Sequence, residues 1–234
     1  MKEISISPKI SKGELVRRLG ARKGERLSRA TKLKVAGLTE ALSGFLRPVV
    51  HYETRPLART TKSSIELEKG PIFRSRKIAK SLTGCTHVVC FIATIGQGLE
   101  ARIRERFEAN RLSEAYILDA LGSVLVEDVA RQFQEFIAKK CAMQGECVTL
   151  RFSPGYCDWP LEEQRKLFSL FHPSRLKVHL SKSCLMEPRK SISGIFGIAP
   201  RDDWQHHTPY NPCTECSAKT CSARRAPSAA MYAQ

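Results

Sequence analysis

His87-Val-Val-Cys-Phe-Ile-Ala-Thr-Ile95 decides how the rest of the chain is to be read. It is apolar and rich in β-branched residues, as a strand covered on both faces is. Gly96-Gln-Gly98 then turns the chain, and Leu99 to Asn110 follows as a helix. A strand, a glycine turn and a helix frame many phosphate-binding loops. Here the glycines are too few for either standard fingerprint, so the turn is expected to serve packing.

On the N-terminal side, Ser11-Lys-Gly-Glu14 has the pattern of a capping box, with Ser11 accepting from the backbone and Glu14 reaching back. The helix it opens, Glu14 to Leu19, ends at Gly20. Ser28 opens a second helix, with Leu33, Val35, Leu38, Leu42 and Phe45 on one face and Pro48 as its stop. Val49 to Leu57 and Ser64 to Leu67 are expected as strands, and Arg76 to Leu82 as a short basic helix. On the C-terminal side, Ser113 opens the longest helix, running to Lys140. Tyr116, Leu118, Leu121, Leu125, Val129, Phe133 and Phe136 form its apolar stripe. Asp119 and Glu127 share one face of it. Glu146 to Phe152 is expected as a strand and Leu161 to Phe171 as a helix. Lys177 to Leu180 and Ser191 to Ile198 are expected as strands joined by a Met-Glu-Pro linker. Helices and strands intermingle without regular βαβ alternation, which argues for the α+β class.

Composition narrows the function. The chain has 234 residues, 42% hydrophobic and 26% charged, which excludes a disordered or collagen-like chain. No apolar run approaches the ~20 residues of a membrane helix. The N-terminus has no secretory signal pattern, so a soluble, cytoplasmic protein with reduced thiols is expected. The net charge is +16, and half of that excess falls in residues 1–50. Such a surface attracts polyanions or acidic partners. The basic runs lack interleaved aromatics, which disfavours nucleic acid.

Leu150-Arg-Phe-Ser-Pro-Gly-Tyr156 is the segment most suited to chemistry. Arg151 leaves a strand, Pro154 and Gly155 force a turn whose amides can face a ligand, and Tyr156 adds a ring and a hydroxyl. An arginine clamps a carboxylate bidentately. The plain alternative is a strand end with a packing tyrosine.

This stretch resembles the Arg-x-x-x-Gly-Tyr signature of the activation (reactivation) domain of cobalamin-dependent methionine synthase. Leu180-Ser-Lys-Ser-Cys-Leu-Met-Glu-Pro-Arg-Lys-Ser-Ile-Ser-Gly194 resembles that domain's Leu-Thr-x-Ser-x-x-Met-x-Pro-x-x-Ser-Val-Ser-Gly stretch, and Ala120-Leu-Gly-Ser-Val-Leu-Val-Glu127 its long helix. The resemblance implies an α+β fold on a twisted antiparallel sheet with flanking helices, and a shallow S-adenosylmethionine site. Arg151 would hold the ligand carboxylate and Glu127 its amino group. Ser153, Pro154, Gly155 and Tyr156 would bind through the turn. It also implies a division into 1–110, the N-terminal helical and α/β part; 111–199, the S-adenosylmethionine-binding core; and 200–234, a Cys-rich tail outside the resemblance.

The implied role is a stand-alone accessory component of cobalamin-dependent methionine synthase. It would support reductive remethylation of cobalamin carried by a methionine synthase or another corrinoid methyltransferase, with a flavodoxin- or ferredoxin-like electron donor. In the tail, Cys213, Cys216 and Cys221 form C-x2-C-x4-C, a spacing suited to zinc or an iron–sulfur cluster, or to plain thiols. Cys157, Cys184, His206 and His207 are candidates for a fourth ligand. The alternative function is a metal- or iron–sulfur-containing redox or interaction module that acts on a corrinoid protein or an acidic partner without S-adenosylmethionine.

Overall fold

The protein is described from a computed structural model. The structure describes residues 1–21, 27–201 and 210–216. In chain order the strands are β1 (Lys2–Ile4), β2 (Val49–Thr60), β3 (Ser64–Leu67), β4 (Ile72–Arg74), β5 (His87–Thr94), β6 (Glu146–Val148), β7 (His179–Leu180), β8 (Met186–Glu187) and β9 (Ser191–Pro200). The α-helices are α1 (Lys12–Arg18), α2 (Arg29–Glu40), α3 (Arg76–Ser81), α4 (Gly98–Glu108), α5 (Leu112–Ala142) and α6 (Gln164–Phe168). The chain folds as two compact units. The first comprises Met1–Tyr52, Phe91–Phe136 and Phe171–Ile192, the second Glu53–Cys90, Ile137–Leu170 and Ser193–Gln234.

In the first unit, β1 pairs antiparallel with the start of β2, Glu3 opposite His51, and β7 pairs antiparallel with β8. Its core is an aromatic cluster. The Phe133 ring lies 5.0 Å from that of Tyr52 and 5.5 Å from that of Phe91. Leu121, Val129, Ala130 and Phe133 of α5 are fully buried, so the stripe expected from the sequence forms a core face. Phe136, at the end of the stripe, is half-buried, and Tyr116 departs from it fully. It is exposed, and its hydroxyl donates to the Arg18 carbonyl at 2.9 Å. A phenol at a helix edge keeps its polar end outside the core.

Two N-caps form where the sequence placed them. The Ser11 hydroxyl accepts from the Glu14 N–H and the Ser28 hydroxyl from the Thr31 N–H. The reciprocal half of the box does not form, because Glu14 turns instead to Arg17 and Arg18. Charge attraction outcompetes a return bond to the backbone. The second helix is shorter than its apolar spacing suggests. It ends at Glu40, a 3-10 turn follows over Ala41–Gly44, and Leu42 is buried while Leu33 stays exposed. The expected stripe is therefore split between two geometries.

The strands run in the order β4-β3-β2-β5-β9-β6. The β2–β3, β3–β4 and β6–β9 pairs are antiparallel. Trp159 packs edge-on against Phe73 at 5.4 Å, both fully buried. The expected strand Glu146–Phe152 is interrupted after Val148. The Gly197 N–H donates to the Thr149 hydroxyl at 2.9 Å instead of a main-chain carbonyl. A side chain that takes a ladder bond breaks the strand. Pairing resumes only as an isolated Phe152–Ile195 bridge. The expected helix Leu161–Phe171 likewise divides into a 3-10 turn, Leu161–Glu163, and the short α6.

Candidate functional site

Arg151, Ser153, Pro154, Gly155 and Tyr156 lie together in the second unit, where the interrupted strand leaves the sheet. Phe152 is buried and exchanges both backbone bonds with Ile195, which anchors the start of the loop. Arg151 is half-buried, Pro154 is buried, and Tyr156 is exposed at 52%. Gly155 has φ +85°, a left-handed conformation that glycine adopts without a Cβ penalty.

The loop is tied to itself. The Gly155 N–H donates to the Trp159 carbonyl at 2.9 Å, the Tyr156 N–H to Ser153, and the Trp159 N–H back to Tyr156. Trp159 anchors this knot in the core. Two of the turn amides are thus spent internally. The Ser153 amide and hydroxyl, the Pro154 and Gly155 carbonyls and the Tyr156 side chain stay outside the knot. Such a loop presents a preorganised, mainly carbonyl and hydroxyl surface beside an arginine.

Asp158 braces the loop from behind. Its carboxylate accepts from the Ser75 hydroxyl and from the N–H groups of Arg76 (2.8 Å) and Lys77 (3.3 Å). These are the orphan donors of the first turn of α3, so Asp158 shares the capping work with Ser75. The sequence offered a signal for this, an Asp two residues after the signature tyrosine, but not its partner.

Glu127 belongs to the first unit. It projects from α5 as an exposed residue among buried neighbours. The adjacent Asp128 has a different job. It is buried and accepts from the Lys9 N–H (2.6 Å), Arg131 and Gln132. Burial raises its pKa, but the bonds from Lys9, Arg131 and Gln132 more than offset this and leave it below the usual carboxylate value. Asp119, on the same helix, pairs with Lys190, 2.7 Å away.

The glycine turn after β5 serves packing. A Cβ on Gly98 would lie 2.4 Å from the Phe45 carbonyl oxygen, and Gly96, at φ +82°, packs on Arg47. The turn borders a cavity of ≈ 1330 Å³ within the first unit. Its walls mix Arg47, Arg104, Lys177 and Arg189 with Glu3, Glu100 and Glu187, so positive charge is only slightly in excess.

Cys213 and Cys216 are half-buried on one turn, whereas Cys221, His206 and His207 lie outside the described residues. Among the described residues, no group of three or more His, Cys, Asp or Glu side chains is placed to hold a metal ion. No helix among them is long and apolar enough to cross a membrane.

An α+β chain with an arginine-led, carbonyl-rich loop at a strand end defines the class. The family comparison makes it specific: residues 77–204 match the activation domain of vitamin B12-dependent methionine synthase, and the chain belongs to that family. Its fold is similar to that of the MetH reactivation domain, whose crystal structure has AdoHcy bound. The TM-score is 0.69 at 16% identity, over 90% of this chain and 80% of that one. No curated protein matches the sequence.

Proposed function

We propose that this chain binds S-adenosylmethionine and supports reductive reactivation of cobalamin carried by a partner methionine synthase or corrinoid methyltransferase. The observation that carries the proposal is the Arg151–Tyr156 loop, held rigid by Trp159 and Asp158 inside the matched family region. Support also comes from the similar MetH domain, which holds AdoHcy, the demethylated form of the same ligand. One electron from a flavodoxin- or ferredoxin-like donor would reduce the partner's Co(II). The sulfonium methyl would then pass to the reduced cobalt and leave S-adenosylhomocysteine.

This chain's own part is to grip and aim the methyl donor. Arg151 takes the carboxylate, Glu127 the ammonium, and Ser153, Pro154, Gly155 and Tyr156 the rest of the ligand. Positioning then dominates the contribution to rate. In this assignment residues 111–199 supply the binding core and 1–110 the remaining framework. The +16 charge would favour encounter with an acidic partner.

Calorimetric titration with S-adenosylmethionine tests the site. Arg151→Ala and Glu127→Gln should each weaken binding by ~1–3 kcal/mol, the usual cost of losing a charged hydrogen bond. Equal affinity for wild type and both variants would refute the assignment. Absence of any binding heat or thermal shift would favour a metal or interaction module that works without this ligand.

A further inference from the structure

Two helices of the first unit enclose an apolar groove. α1 and α2 border a space of ≈ 680 Å³ whose apolar walls are Ile10, Leu15, Val16, Leu27, Val35 and Ala36. On α2 the lining residues Lys32, Val35, Ala36, Thr39 and Glu40 are spaced by three and four, so one helical face turns to the groove. Leu15 is buried, but α2 buries none of its own residues. What holds α2 is Leu42, buried in the turn that follows, and the Lys34 ammonium, which donates to the Ser113 hydroxyl at 2.9 Å. Helices in proteins gain most of their stability by packing an apolar face. This face has no occupant among the described residues.

The surroundings of the groove are basic. Lys12 and Lys32 line it, are exposed, and make no ion pair among the described residues. α2 has no acid in its first turn and opens with Arg29, so the positive end of its dipole is uncompensated. Glu40 is the one carboxylate among the described lining residues, and it stands at the opposite end of α2. Residues 1–50 as a whole hold half of the +16 net charge.

We propose that the α1–α2 groove docks an acidic amphipathic helix of a partner protein. A helix laid in a groove sends apolar side chains at i, i+3, i+4 and i+7 between the walls and keeps its polar face in water. α2 has 12 residues and is about 18 Å long, which matches about three turns of such a partner. Carboxylates on the partner's flanks meet Lys12, Lys32 and the α2 N-terminus. Opposite charge orients the docking and speeds encounter. A second copy of this chain fits worse, because it brings the same basic residues to the same place. Docking here asks nothing of the Arg151 loop.

The test uses the full chain and a fluorescein-labelled 14-residue peptide, with leucines on one helical face and glutamates on the other. A peptide of the same composition, scrambled so that the leucines share no face, is the control. Fluorescence anisotropy should show saturable binding of the ordered peptide and at least ~10-fold weaker binding of the scrambled one, the scale of losing interface anchors. Ala36→Glu keeps a good helix former at an exposed position, so its urea midpoint should stay near that of wild type. Its affinity for the ordered peptide should fall ~10-fold or more. Lys32→Glu places an acid near the α2 N-terminus, which favours the helix, so weaker binding there is not a loss of fold. Lys62→Glu makes the same charge change in the second unit and should bind as wild type does. The proposal is overturned if the ordered peptide fails to bind or binds no better than the scrambled one, or if both groove variants match wild type. It is equally overturned if sedimentation finds a dimer that Ala36→Glu dissociates, which would give the groove to a second copy. Displacement of the peptide by phosphatidylserine vesicles would overturn it in favour of a membrane surface.

Discussion

Two glycine turns follow strand ends in this protein, and they do opposite things. Gly96-Gln-Gly98 carries a left-handed glycine at φ +82°, and Ser153-Pro-Gly-Tyr156 carries one at φ +85°. In the first, main chain presses on the glycine face, with the Phe45 carbonyl 2.4 Å from where a Gly98 Cβ would sit. In the second, the closest group to a Gly155 Cβ is a Leu161 methyl at 3.4 Å, and the flanking Tyr156 and Cys157 are exposed. A glycine can thus mark a place where chain meets chain or one where the chain is held open. What lies against it decides which, and local spacing does not carry that information.

The comparison breaks most sharply at Gly98. Gly98→Ala should cost ~3 kcal/mol or more, since a backbone carbonyl cannot step aside as a side chain can. Urea unfolding measures it, and a loss below ~1 kcal/mol would mean that the Phe45 segment yields easily. Gly155→Ala should cost less, ~1–2 kcal/mol, from the left-handed backbone alone, because Leu161 can give way. Its effect should appear more in S-adenosylmethionine affinity than in the unfolding midpoint. A larger stability loss at Gly155 than at Gly98 would reverse the assignment of the two turns.

The smallest expected effect is one of pH and belongs to the first unit. His51 is buried, and its Nε2 accepts the Lys177 N–H at 3.3 Å, which requires a neutral ring. Burial lowers its pKa, Glu3 raises it, Lys177 lowers it again, and the balance lies below the ordinary 6.5. As the pH falls, the unfolded chain takes the proton first. The stabilisation from a neutral His51 is therefore complete above about pH 6.5 and is lost as the pH drops toward the folded value. Urea midpoints taken at several pH values should decline over that window, and His51→Asn should flatten this component. An unchanged slope in the variant would place the pH dependence elsewhere.

Much of the framework was legible in residue order. The apolar, β-branched run from His87 and the stripe along α5 both form as expected, because burial on both faces or on one leaves a periodic trace. Where expectation and structure part, a side chain intervenes. Thr149 takes a ladder bond and shortens the strand at Val148. Met186–Glu187, expected as a linker, forms β8 because it finds β7 as a partner. The Arg151–Tyr156 signature was legible as a motif, yet the internal use of its Gly155 and Tyr156 amides was not.

The order of residues alone determined the class of the chain, its family, its basic character and the set of groups available for chemistry. These depend on composition and short-range spacing, which any window of sequence displays. Only tertiary structure decided which carboxylate works for the fold, since Asp128 is consumed by Lys9 from 119 positions away while its neighbour Glu127 stays exposed. It also brought Asp158 to the start of α3, and the tail turn to the far end of that helix. Hydrogen bonds and ion pairs act through a few ångströms of space, and folding chooses which distant residues fall within that range.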